Sequence, residues 1–159
     1  MRSAKKFAMS DNWIALIPRD PQFVPDEALQ HLAADRLAAI APEAEEIEIK
    51  VSDHVQFFDC GANLERITCP SCGQDVSVDW WQNRMDDDHN GSGFKLAGYS
   101  IPCCGASVRL DELRYDWPQG FARFGIDAMN PDISELSTED IQEFETLLGT
   151  PLRAIYQHI

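Results

Sequence analysis

The alternation of hydrophobic and polar positions predicts a strand, a helix and two further strands in the first part of the chain. Residues 13–17 form a short apolar run that ends at Pro18, which is typical of a strand. In residues 26–40 the apolar side chains recur at helical spacing, so we predict a helix there. Residues 47–51 alternate between apolar and charged side chains, and residues 55–58 continue as a second strand.

The second half of the chain shows similar patterns around two turns that contain cysteines. We predict strands over residues 94–100 and 106–110, which flank the second of these turns. A short helical turn is expected over residues 82–88, before a Gly-rich loop. In residues 121–128 the even-numbered positions are all apolar, which predicts a strand that contributes one face to the core.

Turn and capping residues indicate the last helix and the fold class. Ser137 followed by Asp140 has the spacing of a capping box, and Gly149 commonly ends a helix, so we predict a helix over residues 138–148. The threonine and proline that follow favour a short terminal helix, and a strand over residues 153–156 is the alternative. This order of elements predicts an α+β fold, with helices on one face of a mainly antiparallel sheet.

The composition is that of one globular domain. The chain has 159 residues, of which 44% are hydrophobic and 25% are charged, so it is long enough to bury a core. No apolar stretch approaches the length that spans a bilayer, so we expect no membrane partner. We predict a single domain over residues 11–159, after a leader or vector-derived tail over residues 1–10 that lacks an apolar signal region.

The net charge limits the classes of partner. There are 27 acidic residues against 13 Lys and Arg, which gives a formal charge of −14. After residue 6 the only lysines are Lys50 and Lys95, and phosphate contacts require cations, so we expect no binding to duplex nucleic acid. A strongly negative surface attracts basic proteins and speeds their association, although it also serves solubility alone.

Two short turns hold four of the five cysteines. Residues 69–73 read Cys-Pro-Ser-Cys-Gly, and residues 101–105 read Ile-Pro-Cys-Cys-Gly. Such turns place sulfur atoms on one side of a tight loop, and two of them together can form a tetrahedral cage for one metal ion. We expect a zinc ion there, held by Cys69, Cys72, Cys103 and Cys104. Because isoleucine occupies position 101, the fourth ligand is open, and Cys60 and His89 are the alternatives to Cys103.

These turns resemble the knuckles of a zinc ribbon, and the resemblance covers about residues 64–109. It implies a zinc-binding hairpin inserted into the domain, without implying an activity. The chain is also similar to uncharacterised bacterial proteins that share the two turns and a Gly-Phe-Ala-Arg-Phe segment, here residues 120–124. Four thiolates close the coordination shell of zinc, so we expect a structural role for the ion. Free thiolates of this kind indicate a reducing compartment, and we predict a cytoplasmic protein.

Aromatic and acidic residues are interleaved on both sides of the second turn. Aromatic anchors surrounded by carboxylates suit a surface that binds a basic protein. Packing of the tryptophans against the sheet is the alternative. The candidate partner-binding residues are Trp80, Trp81, Asp86, Asp87, Asp88, Asp111, Glu112, Asp116 and Trp117.

Charge, size and the lack of catalytic motifs point to a binding protein. The sequence has no nucleophile elbow, no phosphate-binding Gly-rich loop and no His-Glu-x-x-His motif. We therefore expect a non-enzymatic protein that binds a basic partner, most concretely an immunity or antitoxin protein that neutralises a basic toxin. A zinc- or thiol-dependent enzyme is the second hypothesis, and a zinc ribbon associated with nucleic acid is the third.

Overall fold

The structure is a computed structural model, and it describes residues 11–158. Its main feature is an antiparallel sheet in the strand order β2-β7-β1-β8, formed by β1 (Asn12–Pro18), β2 (Glu46–Phe58), β7 (Gly120–Met129) and β8 (Leu152–His158). The helices of the described range are α1 (Glu27–Ile40), α2 (Val78–Asp88) and α3 (Thr138–Leu148). Two small antiparallel pairs complete it: β3 (Ile67–Thr68) with β6 (Arg114–Tyr115), and β4 (Tyr99–Ser100) with β5 (Ser107–Val108). The predicted α+β class is thus confirmed.

The main core lies between one face of the sheet and the helices α1 and α3. Phe124, Ile126 and Ala128 of β7 are fully buried there, as predicted, whereas Ala122, predicted on the same face, lies in a smaller core beyond the point where the pairing with β2 shifts register. Leu37 of α1 and Phe144 of α3 pack against the same cluster. Both helices therefore cover one face of the sheet, and burial of their apolar stripes supplies most of their stability.

The caps of α3 explain why its boundaries were predictable. The Ser137 side chain accepts a hydrogen bond from the Asp140 amide at 3.0 Å, as its position before the helix requires. Gly149 ends the helix in the left-handed region with φ 74°, which favours glycine. The strand over residues 13–17 and the helix over residues 26–40 are confirmed with similar accuracy.

Residues 59–119 lie between β2 and β7 in the chain and outside the main sheet, and we call them the cysteine lobe. The chain enters it after Phe58 and leaves it before Gly120, and these two residues pair with each other on β2 and β7. Most of the lobe packs around a second core, in which Ile67, Ile101 and Leu110 are at most 2% exposed, and Val55 of β2 and Phe121 of β7 belong to it as well. The lobe is therefore an excursion of the β2–β7 hairpin, with α2 and both small strand pairs inside it.

Three predictions for the terminal and edge elements need correction. The preferred terminal helix is wrong, because residues 152–158 form β8 and pair with β1 along its whole length. The two strands predicted over residues 47–58 are one strand, β2, with an irregular register between Val51 and Gln56. The strands predicted over residues 94–100 and 106–110 shrink to two residues each, β4 and β5.

The helix in the lobe begins earlier than the sequence pattern indicated. It starts at Val78 and not at residue 82, because the Ser77 side chain accepts a hydrogen bond from the Trp80 amide.

The prediction of a leader or vector tail falls on residues 1–10, outside the described residues. Within residues 11–158, no helix has both the length and the apolar character needed to cross a membrane.

Candidate metal centre

The two cysteine turns have the same backbone hydrogen bonds. In the first turn, the Cys69 amide donates to the Gln74 carbonyl (2.9 Å) and the Gly73 amide donates to the Cys69 carbonyl (3.0 Å). In the second, the Ile101 amide donates to the Ala106 carbonyl (2.9 Å) and the Gly105 amide donates to the Ile101 carbonyl (2.8 Å). Both glycines have positive φ, 76° and 73°, so the turns require glycine for their backbone conformation.

The turns bring four cysteines together. The sulfur atoms of Cys69, Cys72, Cys103 and Cys104 all lie within 4.8 Å of one another. The Cys69 and Cys104 sulfurs are 3.8 Å apart, and those of Cys72 and Cys103 are 3.3 Å apart. Metal–sulfur bonds of about 2.3 Å in a tetrahedron place sulfur atoms about 3.8 Å apart. The spacing of the four sulfurs therefore fits one tetrahedral metal ion.

The irregular second turn is explained by the packing of Ile101. This residue occupies the position that Cys69 has in the first turn, and its side chain is fully buried in the core of the lobe. Cys103 instead occupies the position of Ser71, and its sulfur still reaches the cluster from there. The two sulfur atoms from the second turn thus belong to the adjacent residues Cys103 and Cys104.

The two alternative ligands lie elsewhere. Cys60 is fully buried in a small core on the other face of the sheet, where its sulfur contacts the Gln119 side-chain oxygen at 3.3 Å. Burial raises the pKa of its thiol, as expected for a thiol in an apolar site. His89 packs edge-on against Phe94, and its Nδ1 accepts a hydrogen bond from the Gly91 amide. Neither residue belongs to the four-sulfur cluster.

The contacts within the cluster shift the pKa values of Cys69 and Cys103 in opposite directions. The Cys72 amide, with a smaller contribution from the Ser71 amide, lowers the pKa of Cys69 to about 7. The hydrogen bond with the Cys72 sulfur is the largest of several causes that raise the pKa of Cys103 to about 12. Four thiolates this close repel one another, so the fully ionised set requires a cation. Cys69 is buried, whereas the other three cysteines are exposed.

The candidate partner-binding residues divide by burial. Trp81 and Asp88 are buried, and Trp80 and Asp111 are half-buried, so these four have internal contacts. The Trp81 indole donates to the Tyr115 hydroxyl, which connects α2 to β6. Five members are exposed and remain available at the surface of the lobe: Asp86, Asp87, Glu112, Asp116 and Trp117.

Asp88 has a structural role that sequence reasoning missed. Its carboxylate is fully buried and accepts hydrogen bonds from the amides of Leu96 (2.7 Å) and Ala97 (2.9 Å). It also accepts one from the Tyr99 hydroxyl at 2.8 Å, and burial followed by this contact raises the pKa of Tyr99 to about 12. Asp88 therefore connects the end of α2 to the segment that leads into the second cysteine turn. Its neighbours Asp86 and Asp87 have the same side chain, so the sequence gives no signal that distinguishes it.

No protein-family model, curated protein or solved structure matches the chain in the comparisons with known proteins. The zinc-ribbon resemblance is therefore supported only at a coarser level. The chain has a four-cysteine cluster on small hairpins, and this cluster could hold one metal ion.

Proposed function

We propose that this protein binds one zinc ion through Cys69, Cys72, Cys103 and Cys104, and that the ion has a structural role in the cysteine lobe. The observation that carries this proposal is the convergence of four sulfur atoms within 4.8 Å from two matching turns. Four thiolates leave no open position for substrate or water, which favours a structural over a catalytic ion. The β3–β6 and β4–β5 pairs have only two residues per strand, so they benefit from an additional constraint.

Metal content is the direct test of the site. The full chain is purified without added metal and analysed for zinc and iron, because a tetrahedral set of four sulfurs suits both metals. We expect one zinc per chain in the natural protein and in Ser71→Ala, whose exposed side chain lies between two ligands. Cys69→Ser and Cys103→Ser should each lose metal. Zinc retained in both cysteine variants, or iron in place of zinc, would refute the proposal.

Cobalt substitution tests the number of sulfur ligands. Cobalt(II) in a tetrahedral site of four thiolates gives intense visible bands and sulfur-to-metal charge-transfer bands. The spectrum of Cys103→Ser should shift toward that of three sulfurs and one oxygen, whereas that of Cys60→Ser should not change, because Cys60 lies in another core. A change in Cys60→Ser alone would assign the fourth ligand to Cys60.

We further propose that the lobe presents an acidic face to a basic protein partner. Support comes from the formal charge of −14 and from the exposed carboxylates of Asp86 and Asp116 on the lobe. Trp117 lies next to Asp116 with 44% of its surface exposed, and an exposed tryptophan is a common anchor at protein interfaces. An immunity or antitoxin role is one form of this proposal, and it stays a prediction from charge and size.

The partner proposal is tested with two variants of equal charge. The first combines Asp86→Asn with Asp116→Asn on the lobe, and the control combines Asp35→Asn with Glu139→Gln on the exposed sides of α1 and α3. A partner is captured by cross-linking in cells and purified, and its association is followed by biolayer interferometry. We expect a basic partner that associates more slowly, and with weaker salt dependence, with the lobe variant only. An acidic partner, or equal effects in both variants, would contradict the proposal.

A further inference from the structure

Three arginines line one cavity where the cysteine lobe meets the sheet. The cavity has a volume of about 350 Å³, and its walls include Arg19, Arg114 and Arg153. Arg19 follows β1, Arg114 belongs to β6 of the lobe, and Arg153 belongs to β8. Three positive side chains in one cavity are unexpected in a chain with a formal charge of −14. Like charges repel, so their convergence indicates a use for the positive potential.

Arg153 is the most deeply placed of the three. Its Nη1 donates to the Gln119 carbonyl at 2.9 Å, and no carboxylate of residues 11–158 forms an ion pair with it. Burial, and then the positive charge of Arg19, lower the pKa of its guanidinium. A Cβ atom at Gly120 would lie 2.8 Å from Nη1, so the glycine leaves room for the guanidinium against the backbone. Arg153 is thus a half-buried arginine without an ion pair among residues 11–158, and the nearby charge of Asp111 only partly opposes the lowering of its pKa.

The acidic residues of the cavity do not compensate for the three arginines. Asp111 accepts two hydrogen bonds from the guanidinium of Arg109, at 3.0 and 2.8 Å, so these two charges cancel each other. Glu112 is the other acidic residue in the wall, and it accepts a hydrogen bond from the Arg109 amide at 2.7 Å. The lining thus holds three arginines against two carboxylates, and Asp111 is also engaged by Arg109, so positive charge exceeds negative charge in the cavity.

The buried side-chain amide of Gln119 has a hydrogen-bond donor without a partner among the described residues. Gln119, which also lines the cavity, is only 2% exposed. Its side-chain oxygen accepts from the Cys60 amide, while its side-chain nitrogen has no hydrogen-bond partner among the described residues. Buried donors of this kind cost free energy unless a ligand or water satisfies them. The cavity therefore combines an excess of positive charge with a wall residue, Gln119, whose side-chain donor is unused.

We propose that this cavity binds a phosphate group between Arg19, Arg114 and Arg153. Guanidinium groups form paired hydrogen bonds with phosphate oxygens, and an anion suits a cavity in which positive charge exceeds negative charge. The volume is at the lower end of the range for small-ligand sites, so the phosphate can belong to an inorganic ion or to a small monoester. This site is separate from the four-sulfur cluster, and its function does not depend on the metal.

Binding is measured by isothermal titration calorimetry with the full chain, at constant ionic strength set with sodium chloride. Inorganic phosphate and glycerol phosphate are the two probes, and acetate is the monoanionic comparison. We expect saturable binding of at least one phosphate probe, and whichever binds more tightly identifies the source as free phosphate or a monoester. The assignment would be overturned if injections of phosphate released no more heat than injections of sodium chloride. It would also be overturned if acetate bound as tightly as phosphate.

Variants locate the binding in the cavity. Arg19→Gln is the principal variant, because its exposed side chain has no ion pair within residues 11–158 and its loss should leave the fold intact. Arg153→Gln is less suitable, because it also removes the bond to the Gln119 carbonyl. Arg36→Gln on α1 makes the same change in charge away from the cavity, where Arg36 pairs with Glu143. We expect Arg19→Gln to bind phosphate at least about tenfold more weakly, as removal of a charged hydrogen bond does, with no change in Arg36→Gln. If phosphate binding were weakened equally in Arg19→Gln and Arg36→Gln, the binding would reflect the charge of the whole protein, and the site would be refuted.

Discussion

Replacement of Asp88 by alanine tests whether one buried carboxylate holds the cysteine lobe together. The variant removes the acceptor for the amides of Leu96 and Ala97 and for the Tyr99 hydroxyl. Leu96 has φ 55°, a left-handed conformation that is unfavourable for leucine, so its backbone depends on this hydrogen bond. Loss of Asp88 should therefore release the segment that leads into the second cysteine turn.

The expected loss of unfolding free energy in Asp88→Ala follows from the number of hydrogen-bond donors left without a partner. The Tyr99 hydroxyl is half-buried and can turn to water, so we count only the two backbone amides. Hydrogen bonds to charged groups contribute about 1.5–3 kcal/mol each, which gives about 3–6 kcal/mol for the pair. Domains of this size have unfolding free energies of about 5–15 kcal/mol, so the loss is a large part of the total.

Hydrogen exchange and urea unfolding measure the effect, with Asp86→Ala as the control. Asp86 lies on the same helix but is exposed, so its replacement should change stability by no more than about 0.5 kcal/mol. In Asp88→Ala, the amides of residues 96 and 97 should exchange at least about a hundredfold faster, because 1.4 kcal/mol corresponds to a factor of ten. An unfolding free energy within about 0.5 kcal/mol of the Asp86→Ala value would refute the reasoning.

Two further predictions concern the main sheet and its helices. Ser137→Ala removes the acceptor for the Asp140 amide and should cost about 1 kcal/mol in urea unfolding, whereas Thr138→Ala, at an exposed position one residue later, should cost less. Burial raises the pKa of Asp127, against the opposing effect of Lys50 at 3.0 Å. The folded state therefore favours the neutral carboxyl group, so the stability is highest at low pH and falls as the pH rises through the folded-state pKa of Asp127. Relative to Asp127→Asn, the natural protein should therefore lose stability as the pH rises above the ordinary aspartate pKa of about 4, and a difference that does not change with pH would contradict the raised pKa.

Elements with strong local signals were predictable from the sequence. Helix α3 has a cap on each side, and β7 has apolar residues at every even-numbered position from 122 to 128, all of them buried, so local chemistry and tertiary structure agree there. β8 was less predictable because its pairing with β1 joins Asn12 to His158, near opposite ends of the chain. The threonine and proline before β8 favour the start of a helix locally, but the segment forms a strand because it pairs with the edge of β1.

The candidate site was predictable in its residues but not in its geometry. The two Pro-x-Cys-Gly segments identified all four cysteines of the cluster. Their sequence could not show that Ile101 is buried while Cys103 reaches the other sulfurs, because that depends on the core of the lobe. The arginine cavity gave no sequence signal at all, since Arg19, Arg114 and Arg153 are far apart in the chain and converge only in the fold.

The pairing of Phe58 with Gly120 also has a consequence for how the chain folds. These two residues are separated by the whole cysteine lobe, so an unfolded lobe makes their encounter a costly loop closure. A lobe that folds first holds its two ends about 5 Å apart, the distance between paired residues of neighbouring strands. The lobe then acts as a preformed turn for β2 and β7, and an ion at the proposed zinc site would lower the entropic barrier to pairing these two strands. The rate at which the β2–β7 pair forms would then depend on how fast the lobe folds.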